Sequence, residues 1–375
     1  MIGWIVMVLA MAGSAYQLLA GRQVHALLVR PRATRTAAAP AVTILKPLHG
    51  GELGLDVALH SFLAQDYPGT VQVVFGVQNP ADPAQVVVGS LRGAHPGRDV
   101  ALVVDATQHG ANRKISNVIN MMRRAKHDII LLADSDIVVR PDYLREVVAA
   151  LEAPGVGVVT CAYRGQAVRG IWSRLAAMGL SYQFLPSVAV GVGLGLAQPC
   201  MGSTIALRRE ALTRIGGFET FADLLADDYA IGAAVRAAGL RSLVAPVLVA
   251  HNCAEGGLAE LVRHELRWAR TIRGVDPAGF VGSGVTHAVP LALLGLILTG
   301  ASVVSLAVLA FALICRLWLM REVDRIAGAD GRGWWLSPLR DILSFAIFIG
   351  SFFVRAVDWR GAQFRVDAKG ALRRI

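Results

Sequence analysis

Charged side chains are scarce in this sequence of 375 residues, at 17% against 54% hydrophobic. Soluble domains carry about a quarter charged residues, so part of this chain is expected to sit in lipid. Cysteine is scarce as well. Cys161, Cys200, Cys253 and Cys315 stand far apart without paired spacing, which argues against both a zinc cage and a disulfide framework. Although the net charge is +10, the 37 Lys and Arg form no long basic run with interleaved aromatics, and many flank apolar segments. They read as a basic membrane-facing surface, and no nucleic-acid partner is expected. Internal repeats are missing, and the only biased tract is the Ala-rich linker from Thr36 to Pro40.

Where charge is absent, membrane segments are expected. Residues from Ile2 to about Ala20 carry none, and roughly 20 apolar residues cross a bilayer core as a helix. This stretch reads as a retained anchor rather than a cleaved signal, because a basic leading region is missing. Arg22, Arg30, Arg32 and Arg35 follow it and would hold the next segment in the cytoplasm. From His287 to Met320 no charge precedes Arg316, too long a run for one span. A hairpin turning near Thr299, Gly300 and Ala301 fits it. A last block, about Ile342 to Val354, either crosses again or lies in the interface. The arginine-rich tail after Phe353 would prefer the cytoplasm, which leaves the topology of the C-terminus weakly determined.

Between these blocks the pattern changes. Short β-branched runs at Val42 to Leu45, Val71 to Val77, Val100 to Val104, Ile129 to Leu132 and Val156 to Thr160 read as strands. Helix-like segments separate them: Leu53 to Gln65, Pro83 to Arg92, Arg113 to Ala125 and Pro141 to Glu152. The alternation predicts an α/β domain whose mostly parallel sheet is covered on both faces. Ligands bind such sheets beyond the carboxyl ends of the strands. The expected organisation is an anchor and basic linker over residues 1–37, the α/β domain over 38–280 and a membrane region over 281–375.

Polar residues gather at those strand ends. Asp134-Ser135-Asp136 follows the strand Ile129 to Leu132 and offers a hard oxygen site for Mg²⁺ or Mn²⁺ able to bridge a diphosphate; a solvated turn is the plain alternative. Asp227-Asp228 opens a helix, where acids are favoured by capping and by the dipole, or where one of them serves as general base for an acceptor hydroxyl. His264-Glu265-Leu266-Arg267-Trp268, with Arg270 and Arg273, suits a pyrophosphate beside an aromatic wall, or a juxtamembrane helix lying on anionic lipid. Gly191, Gly193 and Gly195 lack the strand-turn-helix context of a dinucleotide loop, and Trp268 stands where a zinc-protease helix needs its second His. Leu180 to Ala197 is either an in-plane acceptor surface or a buried core segment.

Taken in order, Lys46-Pro47-Leu48-His49-Gly50, Val77-Gln78-Asn79-Pro80-Ala81-Asp82-Pro83-Ala84, Gly110-Ala111-Asn112-Arg113-Lys114, Asp134-Ser135-Asp136, Asp227-Asp228-Tyr229 and Arg267-Trp268 resemble the ceramide glucosyltransferase family, glycosyltransferase family 21. Within it the chain looks closest to the bacterial branch associated with hopanoid biosynthesis. The resemblance implies a GT-A fold, a UDP-sugar donor and inversion at the anomeric carbon. It implies a nucleoside contact at Asp82, since Asn79 stands where an aspartate is common. It further implies metal ligation by Asp134 and Asp136, and a catalytic base at Asp228 with Asp227 beside it. Lys46, Lys114, Arg267 and Trp268 fall near the donor, and His264 departs from the usual Gln or Arg. The implied acceptor is a membrane lipid hydroxyl, a hopanoid polyol with UDP-N-acetylglucosamine as donor, or ceramide with UDP-glucose. The implied setting is a bacterial inner membrane, crossed several times, with the catalytic domain cytoplasmic. A catalytically silent lipid-binding protein on the same fold is the alternative of another class.

Overall fold

The computed structural model describes residues 1–29, 39–328 and 333–353, together with the backbone of 356–359, 362–366 and 372–374. From the N-terminus come α1 (Ile2–Leu28), β1 (Val42–Pro47), α2 (Leu55–Leu63), β2 (Val71–Val77), α3 (Ala84–Ala94), β3 (Asp99–Val104) and α4 (Arg113–Met122). Next are β4 (Ile129–Leu132), β5 (Ile137–Val138), α5 (Tyr143–Leu151), β6 (Val156–Ala167), α6 (Ile171–Gly179) and α7 (Leu185–Gly193), the last two joined by π-helical Leu180–Phe184. Then follow β7 (Ile205–Arg208), α8 (Arg209–Arg214), α9 (Asp227–Ala237), β8 (Arg241–Cys253), α10 (Leu258–Val275) and α11 (Pro277–Gly282). The remaining helices described are α12 (Ala288–Leu298), α13 (Val303–Ala327) and α14 (Ser337–Gly350). Two compact units emerge, one of Arg30–Tyr163 and Ala197–Ala254, the other of Met1–Val29, Arg164–Leu196 and Glu255–Ile375.

The first unit is built on a mixed eight-stranded sheet in the order β3-β2-β1-β4-β7-β6-β8-β5. β1 lies between β2 and β4 in parallel, with Leu45 level with Val74 and with Leu132. The β4–β7, β6–β7 and β5–β8 ladders are antiparallel. Strands buried on both faces need continuous apolar runs, and Ile129 to Leu132 is buried throughout. Alternation along β1 divides the core. Val42 and Ile44 face a cluster with Leu59 and Phe62 of α2, Val88 of α3 and Val147 of α5. Leu45 faces the opposite cluster, with Ile115 and Val118 of α4 and Ile231 and Val235 of α9. The result is an α/β domain covered on both faces, mostly parallel, as the alternation predicts.

Among the described residues of the second unit, three helices are long and apolar enough to cross a membrane, by length and composition: Ile2–Leu28, the run Ile171–Gly193 and Val303–Ala327. Pro277–Thr286 and Ala288–Leu298 form a further pair, bent by 65°. The hairpin turns where expected, with Gly300 at φ 67° and Ala301 at φ 55°, a left-handed conformation that costs a non-glycine residue strain. Small residues let the helices close up, as in lipid where tight packing replaces hydrophobic drive. Ala10 packs with Ala288, Ala292 and Ala312, and a Cβ at Gly21 would meet the Trp318 ring at 2.4 Å. Ile171–Gly193 is the departure from the sequence pattern, which reads only Leu180 onward as a membrane-facing surface. Arg316, the charge inside the run from His287 to Met320, is buried and paired with Asp341 of α14. Arg30, Arg32, Arg35 and the basic side chains after Phe353 lie outside the described side chains.

Candidate active site

β4 ends at Leu132, and the chain must turn before the two-residue β5. The amide of Asp134 donates to the Gly202 carbonyl at 3.3 Å, and that of Ile137 closes the turn on the Asp134 carbonyl at 3.4 Å. Beneath it lies Lys46, the next-to-last residue of β1 and fully buried. Its Nζ donates to the Asp134 carbonyl and sits 3.9 Å over the Phe62 ring. Burial pushes the Lys46 ammonium down to about 7, against the opposing pull of Asp136, Asp134 and Glu52. Ser135 donates to Glu52 at 2.6 Å. The turn is thus held from below and from the side, with its two carboxylates half-buried.

Lys114 joins this turn to the second acidic pair. Asn112 caps α4, its side chain accepting from the Ile115 amide at 3.1 Å, which sets Lys114 in the first turn. Lys114 Nζ lies 2.7 Å from Asp134 Oδ1 and 3.2 Å from Asp227 Oδ2. Burial disfavours its charge, but Asp134, Asp227 and Asp228 together outweigh burial and hold the ammonium well above its usual range. Asp227 also accepts from Asn112 Nδ2 at 3.3 Å. Asp228, half-buried, accepts from the Gly202 amide at 2.9 Å and from the amide of Tyr229 at 2.7 Å. Burial and then the Asp227 charge push its carboxyl up to about 6, opposed by Lys114 and the two amides. A carboxylate poised there can take a proton near neutral pH. Asp227 and Asp228 stand in the first turn of α9, where Asp228 accepts from the Tyr229 amide, so the pair meets the helix end as well as Lys114 and Gly202.

Two residues that the motifs do not name complete the cluster. His251, near the end of β8, is level with Ile137 in the β5 ladder, and its Nε2 lies 3.2 Å from Asp136 Oδ2. Tyr163 stacks on its ring at 5.7 Å. At Gly202 a Cβ would stand 2.7 Å from Asp134 Oδ2, so a side chain there would block the acid. Asp136 Oδ1 is buried without a hydrogen-bond partner among the described residues. Such an oxygen suits a hard cation. No three His, Cys, Asp or Glu side chains form a cage among the described residues, but Mg²⁺ and its like are held by one or two carboxylates with phosphate oxygens and water. The Asp134-Asp136 turn fits that donor set.

The sequence profile of Glycosyl transferase family 21 matches residues 2–372. The chain belongs to this family. It is a glycosyltransferase, and a hexosyltransferase by class. Ceramide glucosyltransferase 1 of Caenorhabditis elegans is 23% identical over 354 residues, 89% of this chain and 73% of that protein. An N-acetylglucosaminyltransferase of Azorhizobium caulinodans is 26% identical over 56% of this chain and 54% of its own. Among solved structures, the mannosyltransferase PcManGT of Pyrobaculum calidifontis, in complex with GDP-Man and Mn²⁺, aligns with a TM-score of 0.53 at 21% identity, over 94% of this chain and 99% of that one. This likeness shows the GT-A type fold.

For this family 21 member, the structure brings Lys46, Lys114, Asp134, Asp136, Asp227 and Asp228 together in the sheet unit. Asp82 lies in the same unit, where both carboxylate oxygens accept from the Gly50 amide at 3.0 Å and Oδ1 also accepts from Ala84 at 2.9 Å. Close in sequence, Gln78 Nε2 is buried without a hydrogen-bond partner among the described residues. Arg267 and Trp268 lie on α10 of the helical unit. There His264 Nδ1 is 2.9 Å from Glu255, its ring is 4.2 Å from that of Trp268, and Glu265 is gripped by both Nη atoms of Arg340 at 2.7 and 2.9 Å. His251 and Gly202 escape a motif search because each acts through a contact made far along the chain.

Proposed function

We propose that this family 21 enzyme moves a hexose from a UDP-sugar to the hydroxyl of a membrane lipid, with inversion at the anomeric carbon. The observation that carries the reading is the cluster in which Lys114 ties Asp134 to Asp227, with Asp228 set beside it as a carboxylate of raised proton affinity. In the proposed mechanism Asp228 takes the proton of the lipid hydroxyl as its oxygen attacks, and UDP leaves from the opposite face of the sugar. A divalent ion held by Asp134 and Asp136 would offset the charge that grows on the departing diphosphate. Lys46 and Lys114 keep the acidic turn in register, and Asp82 shapes the nucleoside pocket through the Gly50 amide, with Gln78 as a free donor. Arg267 is proposed as the guanidinium for the diphosphate and Trp268 as an aromatic wall.

The chain's likeness to a ceramide glucosyltransferase over 89% of its length favours ceramide and UDP-glucose. The order of motifs favours a hopanoid polyol and UDP-N-acetylglucosamine. Both are neutral lipid alcohols. The proposed setting is a bacterial inner membrane with the sheet unit in the cytoplasm, where UDP-sugars are made.

Metal dependence tests the proposal. Chelation with EDTA is expected to abolish transfer, and Mn²⁺ or Mg²⁺ to restore it. Asp136→Asn should raise the Mn²⁺ needed for half-maximal rate by at least about tenfold, the scale found when metal sites lose support. Full activity in chelator, with bound metal excluded by elemental analysis, would remove the ion from the scheme.

Acidity provides a second check. Asp228 must be deprotonated to act, and its carboxyl is raised to about 6. The kcat should therefore fall as pH drops through about 6 and level off above about 7.5. A rate that stays flat well below that limb would rule out a base of this kind.

A further inference from the structure

The helical unit holds a cavity, lined in part by polar side chains, that the scheme above leaves unused. It offers about 20 Å³ of internal space. Tyr16 and Gln17 of α1, Gln183 and Ser187 around the start of α7, and His287 and Arg316 line it. Polar groups among membrane helices face bundle interiors or cavities, and they mark ligand routes. Gln17 is 3% exposed, yet its Oε1 has no hydrogen-bond partner among the described residues. Leaving such a carbonyl unpaired is costly, and a donor entering the cavity would remove the cost. Tyr16 and Ser187 are already joined, the Tyr16 hydroxyl donating at 3.1 Å.

Charge and size decide which donor fits. Arg316 is engaged on all three nitrogens, by Asp341 at 3.0 and 2.6 Å and by the Tyr182 carbonyl at 2.7 Å. The pair is neutral as a whole and leaves no free cation for a phosphate. An enclosed volume of this size holds about one water-sized group, which excludes a phosphate or a sugar ring. The lining comes in part from Ile2–Leu28, Ile171–Gly193 and Val303–Ala327, the helices long and apolar enough to cross a membrane, so a lipid is the ligand within reach.

We propose that this cavity receives one uncharged donor, a hydroxyl or amide N–H, at the polar end of a membrane lipid, with Gln17 Oε1 as its acceptor. The proposal rests on the lipid-acceptor reading for the identity of that lipid, and ceramide carries both donors.

Full-length protein in phosphatidylcholine nanodiscs would be exposed to a photoactivatable ceramide and the crosslinked peptides mapped. Label is expected within residues 182–187 or 286–290 and should be competed by plain ceramide but not by phosphatidylglycerol. Gln17→Leu, a substitution well suited to a membrane helix, should cut that label by about 5-fold to 10-fold, the value of one lost hydrogen bond. Label elsewhere, competition by phosphatidylglycerol, or undiminished label in a Gln17→Leu protein of unchanged melting temperature would overturn the proposal. Sugar transfer measured in parallel separates the two readings. Crosslinking as expected without glycosylation of ceramide defeats the acceptor reading and leaves the cavity standing. Glycosylation by Gln17→Leu with unchanged acceptor KM does the reverse.

Discussion

Asp228→Asn is expected to lower kcat by about 10²-fold to 10⁴-fold, the range of general-base catalysis, with donor affinity almost unmoved. The asparagine keeps the shape and can still accept from the Gly202 amide, as Asp228 does at 2.9 Å. What it cannot do is take a proton. An interaction made only as the acceptor hydroxyl ionises appears in kcat and not in binding. Asp227→Asn gives the contrast. Asp227 contacts Lys114 and Asn112, and its charge is one of the causes that raise the Asp228 carboxyl. Removing it should therefore shift the acid limb of the rate profile to lower pH while kcat on the plateau changes far less. If donor binding, measured by calorimetry on folded proteins, were lost in Asp228→Asn while Asp227→Asn lost turnover alone, the base would be the other acid.

Lys114→Met is expected to destabilise the protein by about 3 kcal/mol, because one cation leaves and the buried Asp227 carboxylate keeps only its contact with Asn112. Asp227 is only 7% exposed on its side chain, so water cannot replace the lost partner. The sign with pH follows. With Lys114 gone, the Asp228 carboxyl, already raised by burial and by the Asp227 charge, loses the cation that opposes the rise and should rise further. A raised carboxyl penalises the fold while ionised, and the penalty lifts as pH falls through the folded pKa. The melting-temperature deficit of Lys114→Met should thus shrink from pH 8 toward about pH 5, and the acid limb of its residual activity should move to higher pH. A deficit that is constant with pH would mean that Lys114 supports the fold by packing its stem, not by its charge.

How far these residues could be read from the sequence depended on how local their cause is. Asp134 and Asp136 follow a four-residue apolar strand buried along its whole length, and a strand end is a local signal. The turn at Thr299 to Ala301 was legible for the same reason, since a charge-free run too long for one helix must fold back. Lys46 was legible as a strand-end lysine, but not its burial beneath the Asp134 turn, which needs α2 and its Phe62 in place. His251 reaches Asp136 only through the antiparallel β5–β8 ladder, a pairing between distant segments that no pattern within either one reveals. Asp227 and Asp228 looked equally able to cap a helix or to serve chemistry. The approach of Lys114 to Asp227, set by the Asn112 cap on another helix, is invisible in either segment alone. Arg316 could be read as the end of an apolar block, whereas its pairing with Asp341 depends on how α13 and α14 pack.

Transfer itself is the most direct test of the central claim. Purified full-length protein with Mn²⁺ and tritiated UDP-glucose or UDP-N-acetylglucosamine would be supplied with nanodiscs containing ceramide or a hopanoid polyol, and the lipid product examined for label and anomeric configuration. The account predicts label in the lipid fraction equal to the UDP released, a β-linked sugar from the α-linked donor, and product formed at least about 100-fold more slowly with Asp228→Asn. An α-linked product, UDP release matched only by free sugar, or no turnover of either donor by a folded, metal-loaded protein would contradict it.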